Sequence, residues 1–174
     1  MNPYTLRRTL PSALAAAALC AAVAAPAASA ATAKITASGV GAVKIGASYA
    51  SLRADHLVGK IRHGCELGGD STRSAPLKAP LSGRVDFTLQ DPRKVTNIAI
   101  TGGAKARGVG VGGTIKQIKK AYPKAKVDHN TDDTFEFTLV RVPKAGPGDR
   151  LQFAVSTKTH KIIEIGVPFV ATCE

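Results

Sequence analysis

Two stretches of the chain share one order of apolar, glycine, small and hydroxyl positions. Gly41–Leu52 aligns with Arg107–Ile118 at an offset of 66 residues. In each, an apolar residue and a glycine precede a small residue, then Ser48 or Thr114, then a helical pattern. Ser48 and Thr114 are read as helix N-caps, whose side-chain oxygens accept from amides left unpaired in the first turn. Gln117, three residues after Thr114, completes a capping box. Tyr49, Leu52 and His56 fall on one face of the first predicted helix, and Ile115, Ile118 and Tyr122 on one face of the second. Gly59 is the expected stop of the first helix and Pro123 of the second.

Alternating apolar positions follow each helix. Val85, Phe87 and Leu89 predict one strand, and Asp91-Pro92-Arg93 turns the chain into a second over Val95–Ile100. In the later half, Phe135, Phe137 and Leu139 alternate. Leu151, Phe153 and Val155 alternate after the loop Pro143–Asp149. Thr157–Thr159 then turns into Lys161–Ile165. Glycine-rich Thr101–Gly113 joins the two halves. The expected fold class is α+β, an antiparallel sheet or sheets with two short helices on one face. It is built as two similar units, about 31–103 and 104–174. The pattern leaves open whether both units share a sheet.

Residues 1–30 carry a different signature. Arg7 and Arg8 precede an apolar, alanine-rich run over 12–25, and Pro26 and Ala28-Ser29-Ala30 form a small-x-small cleavage pattern. This is read as a secretory signal peptide, leaving 31–174 as a single exported domain. Residues 1–30 hold two of the 24 Lys and Arg and none of the 12 Asp and Glu. The exported part therefore has 22 basic and 12 acidic residues, a net charge of +10. Such charge favours anionic partners. Outside the cell these are envelope polymers, acidic lipids or acidic proteins, not nucleic acid. Cys65 and Cys173 are the two cysteines left, and in an oxidising compartment they are expected to form a disulfide. Closing a loop of roughly 100 residues contributes about 4–5 kcal/mol in the chain-entropy model.

The repeated motif at Ile45–Leu52 and Val111–Ile118, each followed by strands, resembles that of small secreted actinobacterial proteins of uncharacterised function. It is also similar to the tandem units of the β-lactamase inhibitory proteins, and to small envelope-assembly lipoproteins with a helix-then-sheet fold. The resemblance implies a binding scaffold without a catalytic centre. Inhibitors of that type carry aromatic-rich surfaces and more cysteines. This chain has no Trp and three cysteines in all, so no contact residue is carried over.

Other chemistry has weak support in the residues. His56, His63, His129 and His160 show no metal-ligand spacing. Asp128–Asp133 begins like a calcium loop, but Asp133 stands where the turn needs glycine and Leu139 where a bidentate Glu is needed. Gly108-x-Gly110-x-Gly112-Gly113 lacks the lysine of a phosphate loop and is read as a flexible turn from strand to helix. No G-x-S-x-G elbow is present. No catalytic, cofactor or metal residue is assigned. The best candidate for contact is basic: Lys105, Arg107, Lys116, Lys119, Lys120, Lys124 and Lys126, with no acid between 105 and 126. Lys116, Lys119 and Lys120 stand at i, i+3, i+4 and share a helix face.

The expectation is a secreted, non-enzymatic binding or envelope-associated protein with a basic surface. Its alternatives are a secreted enzyme inhibitor and an exported hydrolase using His63, His129 or His160 as base.

Overall fold

The computed structural model describes residues 32–64, 73–143 and 151–172. The expected signal peptide, Cys65, Cys173 and residues 144–149 of the proline- and glycine-rich loop lie outside them.

The chain opens with three short strands, β1 (Ala33–Thr36), β2 (Gly39–Val40) and β3 (Val43–Lys44), and then helix α1 (Tyr49–Ala54). Strands β4 (Arg62–His63), β5 (Arg73–Pro76), β6 (Ser82–Phe87) and β7 (Val95–Gly102) follow. Next come β8 (Ala104–Ala106), β9 (Val109–Gly110), α2 (Ile115–Ala121) and β10 (Lys126–Asp128). After a one-turn helix α3 (Asp132–Phe135) come β11 (Phe137–Val142), β12 (Leu151–Ser156) and β13 (Ile162–Val167). The fold is α+β.

Eight strands form one antiparallel sheet in the order β10-β11-β12-β13-β7-β6-β5-β4. Strands from both halves therefore share it, meeting where β13 pairs with β7. Five short strands form a second sheet, β3-β2-β1-β8-β9, in which β1 and β8 run parallel. Leu52 of α1, Ile118 of α2 and Val40 and Val43 of the small sheet all enter one core with Val85, Ile98, Phe153 and Ile165 of the large sheet. Each such side chain contributes about 1.5–3 kcal/mol on burial. Two ring pairs join the layers: Tyr49 meets Phe87 edge-on at 5.4 Å, and Tyr122 meets Phe153 at 6.0 Å.

Both caps form as their residue types dictate. Ser48 Oγ accepts from the Ser51 amide at 3.1 Å. Gln117 Oε1 accepts from the Thr114 amide at 2.9 Å, and Thr114 Oγ1 from the Gln117 amide at 3.4 Å.

Several expectations need correction. Helix α1 ends at Ala54, before Gly59, because His56 takes a positive φ of 56° that ends the helical run. His56 is therefore exposed rather than part of the buried helix face. Strand β6 ends at Phe87, and Leu89 lies in the next turn, 39% exposed. Phe135 closes α3 instead of opening a strand, since Glu136 at φ 55° reverses the chain. Phe137 and Leu139 do alternate in β11, but they form a separate cluster with Ala154, Phe135 and Val170. The glycine-rich link Thr101–Gly113 runs from the end of β7 through strand β8, a turn and strand β9, and only its last residues, 111–113, form the expected turn from strand to helix; Ala106 and Val109 before it are buried against the core. A third short helix joins the two expected.

Candidate basic docking surface

The capping box fixes where α2 starts and therefore which residues face outward. Ile118 is fully buried, and Ile115, Ala121 and Tyr122 pack against the same core. Lys116, Lys119 and Lys120 then project to solvent, and all three are exposed. Lys119 and Lys120 also lie in the last turn, where cations complement the exposed carbonyls. Lys124 and Lys126 follow, exposed, on the way into edge strand β10.

Lys105 and Arg107 reach the surface from the β8–β9 hairpin, and both are exposed. Arg107 bends back to α2. Its Nη1 donates to the Ala121 carbonyl at 3.4 Å, and its guanidinium lies over the Tyr122 ring at 5.1 Å. Burial raises the Tyr122 hydroxyl above its usual pKa, with Arg107 opposing that rise. The hairpin turn thus adjoins the C-terminal end of the basic helix. Among the described residues, no acid lies within ion-pair distance of any of these seven cations. Lys126 faces another cation, Arg141, across the β10–β11 ladder. A groove of about 300 Å³ opens beside Lys105, lined by Thr32, Pro80, Gly103, Gly110 and Val111.

The histidines considered as bases are not brought together. His63 is exposed on edge strand β4, and its Nδ1 is 3.5 Å from Arg73 Nη1. His129 follows β10, the strand at the opposite edge of the same sheet. It is 70% exposed, with Nδ1 2.8 Å from Asp132 Oδ2, an interaction that holds the Asp132 carboxyl below its ordinary range. His160 is exposed in the β12–β13 turn at φ 55°. Two of the three carboxylates of the calcium-like stretch are engaged locally. Asp128 accepts from the Asn130 amide and pairs with Arg141, while Asp132 holds His129. Among the described residues no three His, Cys, Asp or Glu converge as a metal set, and no helix is long and apolar enough to cross a membrane.

The sequence reading missed a polar cluster on the sheet face turned away from the helices. Arg84 lies between two carboxylates, 3.6 Å from Asp86 and 3.6 Å from Glu164. Burial raises both carboxyls above their usual range, with Arg84 opposing the rise in each. The C-terminal segment crosses this face. The amides of Phe169 and Val170 donate to the side-chain oxygens of buried Asn97 and Gln152, at 3.4 and 2.9 Å. Arg84 Nη2 donates to the Ala171 carbonyl at 3.4 Å. Gly166 makes the crossing possible, since a Cβ there would collide with the Phe169 carbonyl. The alternation of β7, β12 and β13 placed these polar residues on the second face. Nothing in the spacing indicated that the C-terminus would cover them.

No protein-family model, characterised protein or solved structure matches this chain.

Proposed function

We propose that this is an exported, non-enzymatic binding protein that docks through α2 and the β8–β9 turn on an anionic partner of the cell envelope. The observation that carries the reading is the exposed, acid-free run of Lys105, Arg107, Lys116, Lys119, Lys120, Lys124 and Lys126 around one capped helix. A signal peptide over 1–30 and a Cys65–Cys173 disulfide belong to the same proposal, as does the similarity to tandem helix-then-sheet binding scaffolds. Exposed charges are screened by salt. The protein is therefore expected to sediment with anionic envelope polymer at low salt and to be released as salt is raised. Substituting Lys116, Lys119 and Lys120 by Gln should weaken sedimentation and lower the salt at which the protein is released. Retention at high salt, or a triple variant released at the same salt as the parent, refutes the reading.

A secreted enzyme inhibitor is the second reading. Phe169, 44% exposed, favours it, standing next to Val170 of the apolar cluster on the outer sheet face. Specific capture of one enzyme, lost in Phe169→Ala and insensitive to salt, would favour this reading over the first.

A further inference from the structure

We infer that the outward face of the five-stranded sheet continues the basic surface of α2, and that together they form one footprint for a linear polyanion. The inference rests on the docking reading above and extends it to Lys34 and Lys44, which lie far from the helix in sequence.

Strand alternation sets the two faces of this sheet. Ile35, Val40, Val43, Ala104, Ala106 and Val109 are buried. Lys34, Thr36, Gly39, Lys44, Lys105 and Gly110 occupy the alternate positions; of these Lys34, Lys44 and Lys105 are exposed, Thr36 and Gly110 partly so, and Gly39 is buried. The register sets lysine beside lysine. Lys34 is opposite Lys105 on the parallel pair β1–β8, and Lys105 is opposite Gly110 on β9. Neighbouring strands stand about 4.8 Å apart, so the Lys34 and Lys105 backbones have about that separation. Like charges placed directly opposite destabilise a sheet. Among the described residues neither lysine has an acid within ion-pair distance to offset that cost. An anionic ligand spanning both would remove it.

Both hairpins lay a lysine across a glycine. A Cβ built on Gly39 would collide with the Val43 carbonyl and come within 3.1 Å of Lys44 Cδ, and one built on Gly110 would stand 3.1 Å from Lys105 Cγ. The two pairs occupy matching positions in reversed order, glycine then lysine in β2–β3 and lysine then glycine in β8–β9. The stems of Lys44 and Lys105 therefore lie along the sheet, over the facing glycines. The sheet adjoins the helix through Arg107, which follows Lys105 and bonds to the end of α2.

The chemistry of this face selects the class of partner. Its strand positions hold lysine, threonine and glycine, and the exposed apolar residues just beyond them are Ile45 and Val111, not the Trp, Phe or Leu that anchor a protein in a lipid interface. Lysine acts as a point charge and does not impose the two-pronged geometry of arginine. Such a face reads charge density along a chain. A soluble polymer with closely repeated anions fits it, and a membrane surface fits it less well.

Long-chain inorganic polyphosphate is the probe, titrated against the purified protein over a series of salt concentrations. Lys34→Gln/Lys44→Gln should weaken binding about tenfold at low salt. It should also flatten the slope of log affinity against log salt by about 1.5, two contacts at roughly 0.7–0.9 each. Lys34→Arg/Lys44→Arg should restore affinity, which separates lost charge from lost folding. If the sheet variant binds like the parent while the α2 triple variant is weakened, this inference falls and the docking reading stands. If neither variant is weakened, both fall. Tighter binding to phosphatidylglycerol vesicles than to polyphosphate, with the same loss in the sheet variant, overturns the polymer assignment.

Discussion

The Gly46 amide donates to the Val95 carbonyl at 2.9 Å, and the Val95 amide returns a bond to Ala47 at 2.9 Å. Gly112 and Gly113 make the same exchange with Ile162, at 2.8 and 2.9 Å. In both halves the turn before the helix is thus clipped to the first residue of a central strand, β7 or β13. The helix that follows is aimed by this clip and its cap, so the orientation of the α2 lysines is set from the backbone upward.

Gly46 and Gly112 both sit at φ +83°, and a Cβ at either would meet nothing within 4 Å. Replacing either with Ala should therefore cost about 1–2 kcal/mol of backbone strain without a steric clash. Urea denaturation should give similar losses for the two single variants. Their sum should describe the double variant, because the sites share no hydrogen-bond partner.

Leu52 and Ile118 are the buried anchors of α1 and α2, 2% and 0% exposed. Leu52→Ala and Ile118→Ala should each destabilise by about 2–5 kcal/mol. Only Ile118→Ala should also weaken polyanion binding under conditions where the variant remains folded, since it loosens the basic helix. Equal loss of binding in both variants would argue against docking through α2.

Glu164 is largely buried, and its Oε1 accepts no hydrogen bond. Burial raises its carboxyl, while Arg84 opposes and Asp86 reinforces the rise. The native chain therefore holds this proton more tightly than the unfolded chain does. The stability contributed by the protonated group is complete below the ordinary carboxylate range. It is lost as pH rises through the raised native value. Glu164→Gln should be more stable than the parent at pH 7, with the gap closing on acidification. A variant less stable at pH 7 would mean that the Arg84 ion pair outweighs desolvation.

Thiol titration of the exported, folded protein should find no free cysteine if Cys65 and Cys173 are joined. Reduction should then lower stability by up to about 4–5 kcal/mol. Two titratable thiols would refute the pairing.

The helices were legible because their signals are local: Ser48 and Thr114 cap, Gln117 completes the box, and Leu52 and Ile118 mark the buried stripe. The β6–β7 and β12–β13 hairpins were legible from alternation between Val85 and Ile100 and between Leu151 and Ile165. The small sheet was not, because Gly39-Val40 and Val109-Gly110 are two-residue strands too short to show a period. Their pairing depends on β1 reaching β8, some 70 residues later in the chain. The same long-range pairing brings Lys34 beside Lys105. The basic helix could thus be read from spacing, whereas its extension onto the sheet could not.

The most direct test of the central claim is the salt dependence of polyphosphate binding by the parent protein and by Lys116→Gln/Lys119→Gln/Lys120→Gln. The parent should bind at low salt, weaken steeply and linearly in log affinity against log salt, and show a slope reduced by about 2–3 in the variant. Binding that ignores both salt and the three substitutions would contradict it.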